Sequence, residues 1–313
     1  MLHMRVVTPA ETTPRVRELF EAEPGVAHLV VLPGAAVKPE GDLLLADVAR
    51  ECADSLLSAL RRLGVPRDGS ITVEPLDTVL SDAAVRAEEA APGEGSDAVV
   101  WDELTGRIGE DSRFTASYQA FLTIACLLAA IGAITDSPVL VVGAMVLGPE
   151  FGPLAAIAVG LVLRRGAFVR RGALALVAGF PLAMAVTAGA TLLFDATGLL
   201  SSGTLDHLDE VAFIYQVGPF SFIVAVLAGL AGILALTSAK SASLVGVFIS
   251  VTTVPAAAFA SVALVEGRLR EAGLSALQLV VNLLGIVIAA TLALLVARRT
   301  RRRRIRGVAR PAG

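Results

Sequence analysis

Residues 138–163 read PVLVVGAMVLGPEFGPLAAIAVGLVL, an almost unbroken apolar run of 26 residues with one charge, Glu150, as its thirteenth member. Gly148-Pro149 precedes this carboxylate and Gly152-Pro153 follows it. A charge at bilayer depth costs ~2.5–3.5 kcal/mol on insertion scales, and proline removes a helix hydrogen bond that lipid cannot replace. The pattern therefore predicts a membrane segment that breaks around a polar site, facing protein or a water-filled cavity.

The charged residues divide the chain into two parts of opposite charge. Residues 1–111 hold 21 Asp/Glu against 10 Lys/Arg, whereas residues 112–313 hold 8 against 16. The first part is typical of a soluble domain and the apolar second part of a membrane domain. Because the N-terminus has no apolar core long enough for a cleavable signal peptide, we expect the soluble part to stay in the cytoplasm.

Six apolar segments can be drawn, each near the ~20 residues that span the hydrocarbon core of a bilayer. They lie at about 117–135, 138–163, 173–194, 216–236, 243–265 and 275–297. With a cytoplasmic N-terminus, the inner loops and tail carry 13 basic residues and the outer loops carry two. The positive-inside rule then predicts a multi-pass protein of the cytoplasmic (inner) membrane with both termini in the cytoplasm.

The first three segments resemble the last three. Residues 173–177 match residues 276–280, and Ser137 to Pro149 spans the same distance as Ser243 to Pro255. Chance similarity is the alternative, because Ala, Leu and Gly are so common here. If the repeat is real, each half has three spans. Because three is an odd number, the second half enters the membrane with the opposite orientation. Inverted repeats with paired helix breaks are a transporter architecture.

Polar and small residues near these breaks are the candidate binding site. The substrate- or ion-binding candidates are Glu150, Gly148, Gly152, Ser250, Thr252, Thr253, Gln278 and Asn282, and the helix-break candidates are Gly143, Pro149, Pro153 and Pro255. No catalytic constellation and no metal-ligand spacing is present in the sequence. We therefore expect neither an enzyme nor a bound cofactor.

Each polar candidate has an alternative structural role. A desolvated carboxylate at Glu150 can exchange a proton or bind a cation, but it can also cap the restarted helix or lie at a subunit interface. The hydroxyls before Pro255 can contact solute or repair a helix kink. Gln278 and Asn282, four residues apart on one helical face, can bind solute or hold helices together.

The soluble part shows strands and helices in the order β-α-β-β-α-β, the ferredoxin-like pattern. The six elements are predicted near Met4–Val7, Pro14–Ala22, Val26–Leu32, Leu43–Val48, Ala53–Leu63 and Ser70–Glu74. The predicted domains are a cytoplasmic ferredoxin-like domain at 1–80, a linker at 81–116, a six-span domain at 117–297 and a basic tail at 298–313. Within the linker, residues 98–108 predict an amphipathic helix lying on the inner membrane surface.

Several of these motifs resemble a known family, the bacterial and archaeal membrane proteins called domain of unknown function 389. The resemblance rests on Asp136-Ser137-Pro138, Gly143-Ala144-Met145, Gly152-Pro153, Val254-Pro255 and Asn282-Leu283. It implies a polytopic membrane protein without a settled activity. Many members carry an apolar residue where Glu150 stands, which implies that this carboxylate serves a subgroup.

The sequence as a whole favours a transporter or channel for a small solute or ion. It predicts an α-helical polytopic protein of six transmembrane segments arranged as two inverted three-helix repeats with broken helices, plus the cytoplasmic ferredoxin-like domain as a regulatory or oligomerising part. The expected partners are the lipid bilayer, a small solute or ion and further copies of the chain, with no nucleic acid. The alternative is a membrane-anchored ligand sensor or scaffold without transport.

Overall fold

The computed structural model describes residues 1–91, 101–199, 219–237 and 252–308. The chain forms two compact units, the first comprising Met1–Gly106 and the second beginning at Arg107.

The first unit is a small antiparallel sheet with helices. Its elements are β1 Leu2–Thr8, α1 Thr13–Glu21, β2 Val26–Val37, β3 Glu40–Val48, α2 Arg50–Arg62, α3 Val65–Asp68, β4 Ser70–Pro75 and α4 Asp82–Ala90. The strand order across the sheet is β2-β3-β1-β4. All six predicted elements are present, with ends displaced by a few residues, while the short α3 is an addition.

The core of this unit lies between the sheet and its helices. Alternate residues of β1, namely Leu2, Met4 and Val6, are fully buried, as the two-residue period of a strand requires. The predicted apolar stripe of α2 supplies Leu56 and Leu60 to the same cluster. Each such aliphatic side chain contributes about 1.5–3 kcal/mol when it is buried.

The second unit is helical throughout its described residues. Its helices are α6 Ala116–Ile134, α7 Pro138–Leu147, α8 Phe151–Leu163, α9 Gly166–Ala196, α10 Pro219–Thr237, α11 Thr253–Val265 and α12 Leu269–Val308, and α5 Trp101–Asp111 leads into it. Four of them, α6, α9, α10 and α12, are long and apolar enough to cross a membrane. The pair α7 and α8 is bent by 49° at a short break and could form a fifth span.

Five of the six predicted segments therefore coincide with apolar helices of spanning length or with the bent pair. The remaining segment, 243–265, is described only from residue 252, where it contains the shorter apolar helix α11. The structure is compatible with several membrane spans, and the count of six stays a prediction.

Helices of the second unit pack closely where glycine removes a side chain. A Cβ at Gly172 of α9 would collide with the carbonyl oxygen of Pro153 in α8, and one at Gly229 of α10 would lie 2.6 Å from the carbonyl oxygen of Ile286 in α12. Helix α8 packs on α9 and α12, and helix α11 packs on α12, α9 and α6. The core of this unit thus surrounds the two short helices α8 and α11.

Large apolar side chains cover the outside of the second unit. Examples are Val139, Leu161, Leu174, Val177, Leu193 and Leu292, each at least half exposed. An aqueous surface rarely carries apolar patches of this extent. The surface is compatible with contact to lipid.

The helix predicted at residues 98–108 exists as α5, but its apolar face is covered by protein. Leu104 is 3 % and Ile108 is 1 % exposed. The face that sequence periodicity assigned to the membrane surface is therefore not free to contact lipid.

Candidate functional site

The break between α7 and α8 is built by the sequence Gly148-Pro149-Glu150. Helix α7 ends at Leu147 with Gly148 as its C-cap in an extended conformation, and α8 begins at Phe151 with Glu150 as its N-cap. Proline cannot continue a helix and is common just after a C-terminus. Pro149 therefore ends α7 and places Glu150 in the turn.

Pro153 and Pro255 start helices instead of interrupting them. Each is the third residue of a 13-residue helix, α8 and α11 respectively. The amide of a third helical residue has no intrahelical partner, so proline loses no hydrogen bond there. Pro255 thus matches Pro153, not Pro149, in its position within the helix, and the comparable depth of the prolines in the two halves stays a prediction.

The carboxylate of Glu150 is enclosed by the protein and bonded to α11. Its side chain is 5 % exposed, and Oε1 accepts a 2.5 Å hydrogen bond from the hydroxyl of Thr253. The carboxylate makes no capping bond to the first turn of α8. Its role is therefore not the helix cap considered from sequence, and burial within one chain does not require a subunit interface.

A second hydrogen bond extends this contact to the last helix. Thr252 is the N-cap of α11, and its hydroxyl oxygen accepts a 2.9 Å hydrogen bond from Nδ2 of Asn282 in α12. Because Thr252 and Thr253 are neighbours, the two bonds join the α7–α8 break, the start of α11 and the middle of α12. We call Glu150, Thr252, Thr253, Gln278 and Asn282 the polar cluster.

Three oxygen atoms of the polar cluster accept no hydrogen bond from the described residues. Among the described residues, Glu150 Oε2, Asn282 Oδ1 and Gln278 Oε1 are buried and have no hydrogen-bond partner. Gln278 and Asn282 are 1 % and 2 % exposed and lie one turn apart on α12. Leaving a buried polar atom unsatisfied costs about 1–3 kcal/mol, so three such oxygens, one on Glu150 and two on one face of α12, indicate a site built for something further.

The small candidates take different positions around the polar cluster. A Cβ at Gly148 would overlap Glu150 Oε2, so this glycine leaves the space that the oxygen occupies. A Cβ at Gly152 would lie 2.7 Å from the carbonyl oxygen of Asp111, so this glycine admits the end of α5. Gly143 lies inside α7 with open space around it, and the break does not fall there. Ser250 lies outside the described residues.

The first unit contains a polar group that sequence reasoning did not find. His3 Nδ1 lies 2.8 Å from Asp47 Oδ1, His28 Nδ1 lies 2.7 Å from Asp47 Oδ2, and His28 Nε2 lies 2.8 Å from the Ser81 hydroxyl. Burial raises the pKa of Asp47, but the hydrogen bonds and charge of the two histidines outweigh it and hold the pKa below its usual value. The feature that would have predicted this group is the register of β1 and β3, which places His3 opposite Asp47. This register cannot be derived from residue spacing alone.

No metal centre of the usual kind accompanies these groups. Within the described parts of the chain, no cluster of three or more His, Cys, Asp and Glu side chains could hold a metal ion. Cys52 and Cys126 are both free and buried.

An apolar helical bundle with a bent helix pair and an enclosed polar cluster defines a class: the second unit has the features of a polytopic membrane protein. The profile of the family described as Domain of unknown function (DUF389) matches residues 145–288, which supports assigning this part of the chain to that family. The matched region contains every candidate site residue except Gly143. Neither the comparison with curated proteins nor the comparison with solved structures finds a match.

Proposed function

We propose that this protein is a transporter or channel that moves a small solute or ion through the polar cluster. The observation that carries the proposal is the Glu150–Thr253 hydrogen bond, which joins the starts of two short helices, beside three buried acceptors without donors. A helix bundle that only anchors a protein has no need of broken helices around unsatisfied polar atoms. Transporters place substrate and ion sites at such breaks.

The packing supports the inverted three-helix repeat as part of this proposal. Both α8 and α11 have 13 residues with proline at the third position, and each packs on both α9 and α12. Exchanging the two halves leaves this pattern unchanged. In the proposed architecture, 138–163 and 243–265 are equivalent spans, six spans are present, and the starts of α8 and α11 meet near the centre of the bilayer.

A contact between α8 and α12 supports the proposed orientation. Arg298 Nη1 donates a 2.5 Å hydrogen bond to the carbonyl oxygen of Val162, in the last turn of α8. This bond brings the arginine-rich end of α12 to the same level as Arg164 and Arg165. Grouping these arginines on one side of the membrane fits the positive-inside rule. In the proposed orientation, both termini lie in the cytoplasm.

The first unit completes the proposed architecture as a cytoplasmic regulatory or oligomerising domain. Its element order and its β2-β3-β1-β4 sheet support the ferredoxin-like assignment. In the second unit, Gly143 and Gly189 face outward with open space around them. Small residues on an apolar surface permit close helix contact between copies, which supports a homo-oligomer.

Flux through liposomes tests transport directly. The full chain is reconstituted, and uptake of Na⁺, K⁺, Cl⁻ and protons is followed under imposed gradients, with osmotic swelling in glycerol, urea and glucose for neutral solutes. We expect flux above that of protein-free liposomes for at least one of these probes. The Thr253→Val variant, which loses the hydrogen bond to Glu150, should abolish or strongly reduce it.

Ser261→Ala is the matched control for Thr253→Val. Both residues lie on α11 with buried hydroxyls, but Ser261 bonds only the carbonyl of Ala257 on its own helix. Flux retained in Ser261→Ala and lost in Thr253→Val supports transport through the polar cluster. No flux of any probe by the folded wild-type protein would instead favour a membrane-anchored sensor or scaffold.

A further inference from the structure

Among the described residues, no cationic side chain balances the carboxylate of Glu150. The described buried polar and charged residues of the second unit are Ser112, Glu150, Thr187, Thr191, Thr253, Ser261, Ser275, Gln278 and Asn282, and none is Lys, Arg or His. An unpaired charge removed from water is strongly unfavourable unless a partner or a proton neutralises it. Within the described residues, an ionised Glu150 therefore has no partner of opposite charge.

The two carboxylate oxygens face different surroundings. Oε1 accepts the hydrogen bond from Thr253 at the first residue of α11, whereas Oε2 lies over Gly148, the C-cap of α7. The last carbonyls of a helix have no intrahelical donor and carry the negative end of the helix dipole. Oε2 therefore lies at the C-terminal end of α7 and has no hydrogen-bond partner among the described residues.

The remaining free atoms of the polar cluster are also oxygens. Asn282 Oδ1 and Gln278 Oε1 are carbonyl oxygens, buried and unpartnered in the described chain, and Asn282 is tied by its amide nitrogen to Thr252. A set of carboxylate, carbonyl and hydroxyl oxygens without sulfur or imidazole is suited to hard cations. Anions would find acceptors at these positions where they need donors.

The charge balance decides between classes of hard cation. One carboxylate neutralises one positive charge, so a divalent ion would leave a net charge buried in an apolar surrounding. We propose that the polar cluster binds one monovalent metal cation, held by Glu150 Oε2 with the carbonyl oxygens of Asn282 and Gln278. This inference rests on the proposed function, since it names the class of ion that the transport site takes.

Direct binding to the purified full chain tests the inference. Na⁺, Li⁺, K⁺ and Rb⁺, and separately Mg²⁺ and Ca²⁺, are titrated calorimetrically in detergent, with N-methylglucamine chloride holding ionic strength constant. We expect one site per chain for at least one monovalent ion and no competing divalent site. Glu150→Gln should weaken the binding by at least about tenfold, the lower bound that even outer-shell losses at metal sites reach. Ser261→Ala should bind like the wild type.

Moving the charge provides a second variant that does not depend on Glu150→Gln alone. Asn282→Asp adds a second carboxylate and should shift preference toward Ca²⁺ or Mg²⁺, while Glu150→Gln combined with Asn282→Asp restores one charge and should recover monovalent binding. Far-ultraviolet circular dichroism and gel filtration check that each variant is folded. Absence of monovalent binding, tighter divalent binding by the wild type, or equal binding by Glu150→Gln would overturn the inference. Proton uptake without metal binding would overturn it as well.

The binding test and the flux test fail independently. Monovalent binding without any flux would leave the cation site standing and remove the transport proposal. Flux that is unchanged in Glu150→Gln would keep the transport proposal, while absence of monovalent binding in the calorimetry would remove the cation site.

Discussion

The hydroxyl of Thr253, the first residue of α11, donates a 2.5 Å hydrogen bond to the carboxylate of Glu150, the residue before α8, across 103 positions of sequence. Both residues are buried, so water does not compete for this bond. The bond fixes one carboxylate oxygen and leaves the other toward the end of α7. The position of the Glu150 carboxylate therefore depends on the Thr253 hydroxyl.

Thr253→Val should destabilise the protein by about 1.5–3 kcal/mol, because it removes a hydrogen bond to a charged group and leaves the carboxylate with one donor fewer. The measurement is the thermal or denaturant midpoint of the full chain in detergent. Ser261→Ala removes a hydroxyl from the same helix and should cost less, since its bond satisfies no charge. Equal losses in the two variants would argue against the special role of the Glu150 bond.

Gly148→Ala and Gly143→Ala should have opposite effects. A Cβ at Gly148 overlaps Glu150 Oε2 and lies 2.9 Å from Val254 Cγ2, so alanine there must displace the carboxylate or α11. Gly143 lies inside α7 with nothing near its missing Cβ, and alanine there should stabilise the helix by about 0.4–1 kcal/mol. Unfolding midpoints and cation affinity measured on both variants check this contrast. A neutral Gly148→Ala with unchanged affinity would contradict the position of Oε2.

The first unit should lose stability in acid through Asp47. The pKa of Asp47 is lower in the folded state than the ordinary aspartate value of 3.8, so the unfolded state binds a proton first as pH falls. The stabilising contribution is present above about pH 4 and is lost as pH falls through the folded pKa. Hydrogen exchange of β1 and β3 amides in the full chain, measured from pH 6 to pH 3, reports it. Asp47→Asn should flatten this dependence, and an unchanged acid profile in that variant would disprove the assignment.

Cys52 should resist thiol reagents in the native protein. Burial, with a smaller effect of Glu23, raises the pKa of this thiol to about 12, and the thiolate is the reactive form. In a Cys126→Ala background, maleimide at pH 8 should label the native chain slowly and the denatured chain completely, as mass spectrometry can follow. Ser58→Cys, at an exposed position of the same helix, should label rapidly. Rapid native labelling of Cys52 would show that α2 opens or is less buried.

Sequence patterns were sufficient where a local signal determines the structure. The break at Gly148-Pro149, the stripe of α2 and the apolar helices all follow from periodicity, proline and glycine. Contacts between distant residues were harder to predict. Pairing Glu150 with Thr253 requires knowledge of the helix packing, and pairing His3 with Asp47 requires knowledge of the strand register. The proline comparison did not reveal that Pro255 matches Pro153 within its helix, because equal spacing from a serine does not show where a helix begins.

Close glycine contacts give the second unit a mechanical division. Gly160 and Gly172 bring backbone atoms of α8 and α9 into contact, and Gly229 does the same for α10 and α12, where Gly285 meets the side chain of Ala225. Backbone atoms in such contact cannot slide without collision, so each pair should move as one stiff block. The blocks meet directly where α8 packs on α12, and the polar cluster connects them through α11 by side-chain hydrogen bonds. Any rocking of one block against the other would therefore strain these bonds, one of which is made by Glu150, the only described buried charge of the second unit.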